Sequence, residues 1–118
     1  MYKLYAVGFG TGDRAHMTAE AESAILDADL VVGYTTYVRL MQPLFPEKEF
    51  FSTPMRKEID RCKLAIQEAR SGKTVAVISS GDSGIYGMAG VLLELAEAYD
   101  DLEVIVAVSY THLRAHET

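Results

Sequence analysis

The chain has 118 residues, 49% of them hydrophobic and 24% charged, with a formal net charge of −6. That composition describes one small globular domain with a modest core, and its acidity argues against a nucleic-acid binder, which needs a basic face. A single cysteine, Cys62, excludes an intrachain disulfide and a cysteine-only zinc site. Met1 leads straight into a strand-like run with no basic-plus-apolar leader, and no apolar run approaches the roughly 18 residues of a membrane span. The expectation is a soluble, cytoplasmic domain.

In chain order, "KLYAVGFG" (3–10) is a short apolar run ending in glycine and reads as a buried strand. Thr18 then offers an N-cap, with Glu20 and Glu22 in a first turn where the helix dipole favours anions, and Ala21, Ala24, Ile25 and Ala28 keep helical spacing. "LVVG" (30–33) is the next strand, "TTYVRLMQPLF" a helix stopped before Pro43, and "EFFS" a short strand. Thr53 and Pro54 are expected to open a helix carrying Met55, Ile59, Cys62, Ile66 and Ala69 on one face, with Gly72 as its stop. "TVAVIS" (74–79) is a β-branched strand. "AGVLLELAEAY" is a helix with Val91, Leu92, Leu95 and Tyr99 on one face, and "LEVIVAV" (102–108) is a last strand. Strands alternating with helices predict an α/β fold with a mainly parallel five-stranded sheet flanked by helices.

Two glycine-rich connections follow strands, 8–13 and 79–87. Parallel sheets bind ligands beyond the carboxyl ends of their strands, so the pair predicts a shared ligand cleft. Familiar motifs do not fit it. In "GFGTGD" the third glycine of a dinucleotide fingerprint is replaced by Asp13, and the second strand ends in Gly33 and Tyr34 with no acid for a ribose. "SGKT" (71–74) has Gln67 where a P-loop needs glycine, and it precedes a strand instead of following one. His16, His112 and His116 form no ligand pattern, so no metal is expected. No Ser-His-Asp arrangement assembles around Ser79, Ser80 and Ser83.

Gly8-Phe9-Gly10-Thr11-Gly12-Asp13 after the first strand, and Gly81-Asp82-Ser83-Gly84-Ile85-Tyr86-Gly87 after the fourth, resemble the two glycine loops of the tetrapyrrole (corrin/porphyrin) methylases. "VVGYTTYVRL", "HMT" and the run from "STPMRKEID" to "GIYGMAG" narrow the resemblance to the cobalamin-pathway members that methylate the macrocycle at the ring-contraction step. The resemblance covers residues 2 to about 106. It departs at Thr11, where relatives have proline, and from about Ala107 onward, where "VAVSYTHLRAHET" matches nothing in the family pattern.

The resemblance implies an enzyme, a methyltransferase using S-adenosylmethionine, whose cofactor lies between two domains. Residues 1–106 would be the first of these, the second would be absent, and 107–118 would be a non-native tail, leaving the chain inactive by itself. Carried over by motif, Thr11, Ser80, Gly81, Asp82 and Ile85 would contact the cofactor. Asp82 either faces its sulfonium or amino end or caps the loop. Gly10, Gly12 and Asp13 would line the tetrapyrrole site, with Asp13 more suited to shaping its loop than to proton transfer, and Tyr34 and Tyr37 would line it too or else pack in the core. The substrate, a precorrin or cobalt-precorrin, carries many carboxylates. Arg39, Arg56, Lys57 and Arg61 are candidates to meet them, or are solvated helix faces. A homodimer is implied for the full-length protein.

Overall fold

The computed structural model describes residues 1–10, 17–80 and 82–108, with the backbone alone described over 82–86. Five strands, β1 (Tyr2–Gly8), β2 (Leu30–Tyr34), β3 (Glu49–Thr53), β4 (Val75–Ser79) and β5 (Leu102–Val108), form one sheet in the order β3-β2-β4-β1-β5. Every pairing is parallel, as strands separated by crossover helices require.

Helices cover both faces. Alternate strand residues point to opposite sides, so Leu4, Ala6, Val32, Val75 and Val77 bury against α3 (Glu58–Arg70) and α4 (Asp82–Ala96). Val7, Val31, Ala76 and Ile78 bury on the other side against α1 (Ala19–Asp27), α2 (Thr35–Met41) and a 3-10 turn at Gln42–Leu44. β4 is buried at all five positions, the signature of a central strand covered on both faces. The predicted class and five-stranded parallel sheet are therefore what the chain adopts.

Thr18 caps α1 as expected, its Oγ1 accepting from the Ala21 N–H at 3.1 Å. Three boundaries differ from the sequence reading. First, α3 begins at Glu58 and not at Pro54. The intervening loop is pinned by side chains: Thr35 Oγ1 donates to the Thr53 carbonyl at 3.2 Å, and Arg61 Nη2 donates to the Pro54 carbonyl at 3.1 Å. Arg56 takes a left-handed φ of 66°, which no helix continues through. Met55 and Ile59, placed by their spacing on the same helix face as Cys62 and Ile66, are consequently 59% and 55% exposed.

Second, α4 begins at Asp82, seven residues before the predicted start, and absorbs most of the presumed loop. Glycine disfavours a helix by about 1 kcal/mol per residue. Burial of Met88, Ala89, Leu92 and Ala96 against the sheet overrides that preference. Third, Pro43 lies inside the 3-10 turn that extends α2, and not beyond a clean stop.

Candidate functional site

The carboxyl ends of β1 and β4 lie side by side at the centre of the sheet. Gly8 is the register partner of Ser79. Beyond the strands the Phe9 N–H donates to the Ser79 carbonyl at 2.9 Å, and the Gly10 N–H donates to the Ser80 carbonyl at 3.0 Å. Gly10 needs its glycine, because its φ of 73° is a left-handed conformation. The chain leaves β1 toward α1 on one face and leaves β4 toward α4 on the other. That divergence is the topological switch point at which open α/β sheets bind ligands. The two glycine-rich connections thus meet at their roots, as the sequence predicted. α4 begins three residues after Ser79, so its first-turn N–H groups, which have no partners within the helix, lie at this end of the sheet.

Aromatic rings build one side. Tyr37 packs edge-on against Phe9 at 5.4 Å and against Tyr34 at 5.3 Å. Its hydroxyl lies 3.4 Å from Ser80 Oγ. Tyr34, Tyr37, Ser80 and Gly10, all assigned to the site from sequence, therefore stand together. Thr11, Gly12, Asp13 and Gly81, and the side chains of Asp82 and Ile85, lie outside the described residues. Of the four basic candidates, Arg39, Arg56 and Lys57 are exposed, and only Arg61 is buried.

Next to the tyrosines, a cavity of about 240 Å³ is lined by Tyr37, Glu58, Arg61, Ile78, Ser79, Gly87 and Met88. Arg61 and Ser79 are both only 6% exposed. The Arg61 Nε–H donates to Thr53 Oγ1 at 2.6 Å and Nη2 to the Pro54 carbonyl. The Ser79 hydroxyl is buried with no hydrogen-bond partner among the described residues. Gly87 opens into free space, since a Cβ there would meet no described atom within 4 Å.

From sequence Ser79 reads only as a serine without triad partners; its place closing the apolar run Val75–Ser79 is the signal of its burial. Cys62 is buried, and burial pushes its thiol up to about 11, which makes it a core residue and excludes a ready thiolate. Among the described residues no group of three or more His, Cys, Asp or Glu could hold a metal ion, and no helix is long and apolar enough to cross a membrane.

The arrangement suits binding and alignment: backbone groups exposed at glycines, aromatic faces, and a cavity of mixed polar and apolar lining that holds the Arg61 guanidinium. Comparison with known proteins agrees. The family model described as Tetrapyrrole (Corrin/Porphyrin) Methylases matches residues 3–113. The chain is 45% identical over 114 residues to the cobalt-factor III methyltransferase of Priestia megaterium, covering 91% of this chain and 21% of that protein. It is 48% identical over 102 residues to the probable cobalt-factor III C(17)-methyltransferase of Salmonella typhimurium, covering 86% of this chain and 42% of that one. The crystal structure of the methyltransferase CobJ superposes with a TM-score of 0.76 at 32% identity, over 94% of this chain and 47% of that one. The chain thus spans less than half the length of these relatives. Its parallel sheet, the paired glycine connections at the switch point and the family match place the chain among the tetrapyrrole (corrin/porphyrin) methylases.

Proposed function

We propose that this chain supplies the first cleft wall of an S-adenosylmethionine-dependent C-methyltransferase acting on a cobalt-factor III or precorrin-3B macrocycle, with C(17) as the acceptor, in cobalamin biosynthesis. The observation that carries the reading is the joining of the β1 and β4 ends through Gly8, Phe9, Gly10, Ser79 and Ser80. It brings Gly8 and Gly10 beside the strand end that leads into α4, with the paired Tyr34 and Tyr37 rings next to Ser80. The names of the relatives support the substrate class.

The residues present fit an S-adenosyl cofactor. A rim with a left-handed glycine at Gly10 and no side chain at Gly87 admits close approach of a ligand to the backbone. When bound, the cofactor supplies the electrophilic methyl group. The protein's part is to bind, orient and exclude water. Ser80, with Thr11, Gly81, Asp82 and Ile85, is proposed on the cofactor side. Tyr34 and Tyr37, with Gly10, Gly12 and Asp13, are proposed on the macrocycle side, where flat aromatic edges suit a flat, apolar-centred substrate.

The test is a graft. Residues 3–106 replace the aligned stretch of the Salmonella typhimurium relative, and the chimera is given S-adenosyl[methyl-¹³C]methionine with cobalt-factor III or precorrin-3B. Carbon NMR of the product is expected to place the label on C(17). Label on another ring carbon in a folded chimera would overturn the assignment. Turnover of one substrate and not the other decides between the cobalt-bound and metal-free forms.

A further inference from the structure

We infer that the cavity between α2, α3, α4 and the end of β4 is a carboxylate-binding subsite, with Arg61 and Ser79 as its two donors. Arg61 is a buried guanidinium that forms no ion pair among the described residues. Its two hydrogen bonds there go to a neutral hydroxyl and a carbonyl, and Nη1 has no partner among those residues. A buried cation without an anion is costly, and a guanidinium matches a carboxylate in planar, two-pronged geometry. Ser79 contributes a second, independent sign: a buried hydroxyl lining the same cavity with no hydrogen-bond partner among the described residues. Native structures rarely leave such a group unsatisfied without a ligand or water to meet it.

Glu58 also lines this cavity. It is exposed, at the first turn of α3, and makes no ion pair with Arg61 although it is three residues away on the helix. Its charge is screened by solvent, whereas that of the buried Arg61 is not. It therefore stands at the mouth without neutralising Arg61. Tyr37 also lines the cavity. The fourth basic candidate from the sequence thus differs in kind from Arg39, Arg56 and Lys57, which are solvated.

A carboxylate here has two sources under the proposed function: an acidic arm of the macrocycle, or the α-carboxylate of the cofactor. The choice between them rests on that reading; the carboxylate chemistry does not. The test titrates the ¹⁵N-labelled full chain with sodium propionate, and with propionamide as the neutral isostere, at constant ionic strength. Propionate is expected to shift the Ser79 and Gly87 amides and the Arg61 Nε–H saturably, and propionamide to leave them in place. Ser79→Ala is expected to weaken propionate about tenfold, the value of one hydrogen bond to a charged group. Arg61→Gln is expected to abolish binding. Because Arg61 also holds Thr53 and Pro54, the serine variant carries the test if the arginine variant does not fold. Equal shifts with propionamide, no shifts with propionate, or undiminished propionate binding by Ser79→Ala would each overturn the inference.

Addition of S-adenosylhomocysteine then assigns the source. Displacement of propionate identifies the cofactor carboxylate, and joint occupancy identifies the macrocycle arm. If S-adenosylhomocysteine does not bind at all, the cofactor reading fails while the propionate result still decides the subsite.

Discussion

Gly33 on β2 and Ile78 on β4 are register partners, and a Cβ built on Gly33 would stand 2.6 Å from Ile78 Cγ1 and 3.4 Å from Val38 Cγ2. The contact is between the middle of a stiff β-branched side chain and a backbone, so neither can move aside cheaply. Ile78 is also fully enclosed, at 1% exposure. Gly33→Ala is expected to destabilise the fold by ~1–3 kcal/mol through overpacking, read from urea denaturation. The double variant Gly33→Ala/Ile78→Ala should lose less than the sum of the single losses, because the second change vacates the space the first one needs. Strict additivity would show that the two residues do not meet in this way. The consequence reaches function because Ser79 and Ser80 follow directly on β4.

Cys62 gives a pH dependence. Burial raises its thiol from 9.0 to about 11, so in the unfolded chain it ionises first. The sign follows: the stability held by the neutral thiol is complete below pH 9 and is lost as the pH climbs toward 11. Unfolding free energies measured at pH 8 and at pH 10.5 should show this loss, and Cys62→Ala should flatten that part of the profile. The folded chain should also resist a thiol reagent at pH 8 and react promptly in denaturant. Rapid modification of the native chain would contradict the buried placement.

The first strand is tied to the first helix by a small polar cluster. The Tyr5 hydroxyl donates to Asp27 Oδ2 at 2.7 Å, and the Lys3 ammonium donates to the same oxygen at 3.0 Å. The Tyr5 hydrogen bond, followed by that of Lys3, holds the Asp27 carboxyl below its ordinary 3.8. Its contribution is therefore present above pH 3.8 and fades as the pH falls below that value. The cluster is exposed, so Asp27→Asn should cost no more than about 1 kcal/mol at pH 7. The difference between variant and wild type should shrink in acid. A gap that widens in acid would reverse the assignment.

The fold was legible wherever burial and periodicity agreed. β2 and β4 are short apolar runs covered on both faces, β1 and the edge strand β5 are apolar runs partly covered, and α1 has its cap and acidic first turn in sequence. The start of α4 was not legible, because Gly84, Gly87 and Gly90 carry a local preference for loops that only tertiary burial of Met88 and Leu92 overrides. The start of α3 was hidden for the opposite reason. Thr53 and Pro54 make a good local N-terminus, but Arg61 draws that segment into a loop through contacts that no spacing reveals. In the site, the pairing of two glycine connections could be read from sequence because each follows a strand. Arg61 could not be singled out from Arg39, Arg56 and Lys57, since burial and the absence of an acid partner belong to three dimensions.

Gly87 separates fold from function most directly. It lies within α4, its φ is not in the left-handed region, and a Cβ would meet no described atom within 4 Å. Gly87→Ala is therefore expected to stabilise the chain by ~0.5–1 kcal/mol, through the entropy a helix-interior glycine loses, and to raise its melting temperature. The same open space is the cavity shared with Arg61 and Ser79. Gly87→Leu should remain folded, because it grows into empty volume, yet should weaken propionate binding at least tenfold, about 1.4 kcal/mol. Thermal melts and the propionate titration on the same two variants check both halves. A leucine variant that binds propionate as the wild type does would show that the ligand sits elsewhere. A leucine variant that is less stable than wild type would show that the space is needed by the fold itself.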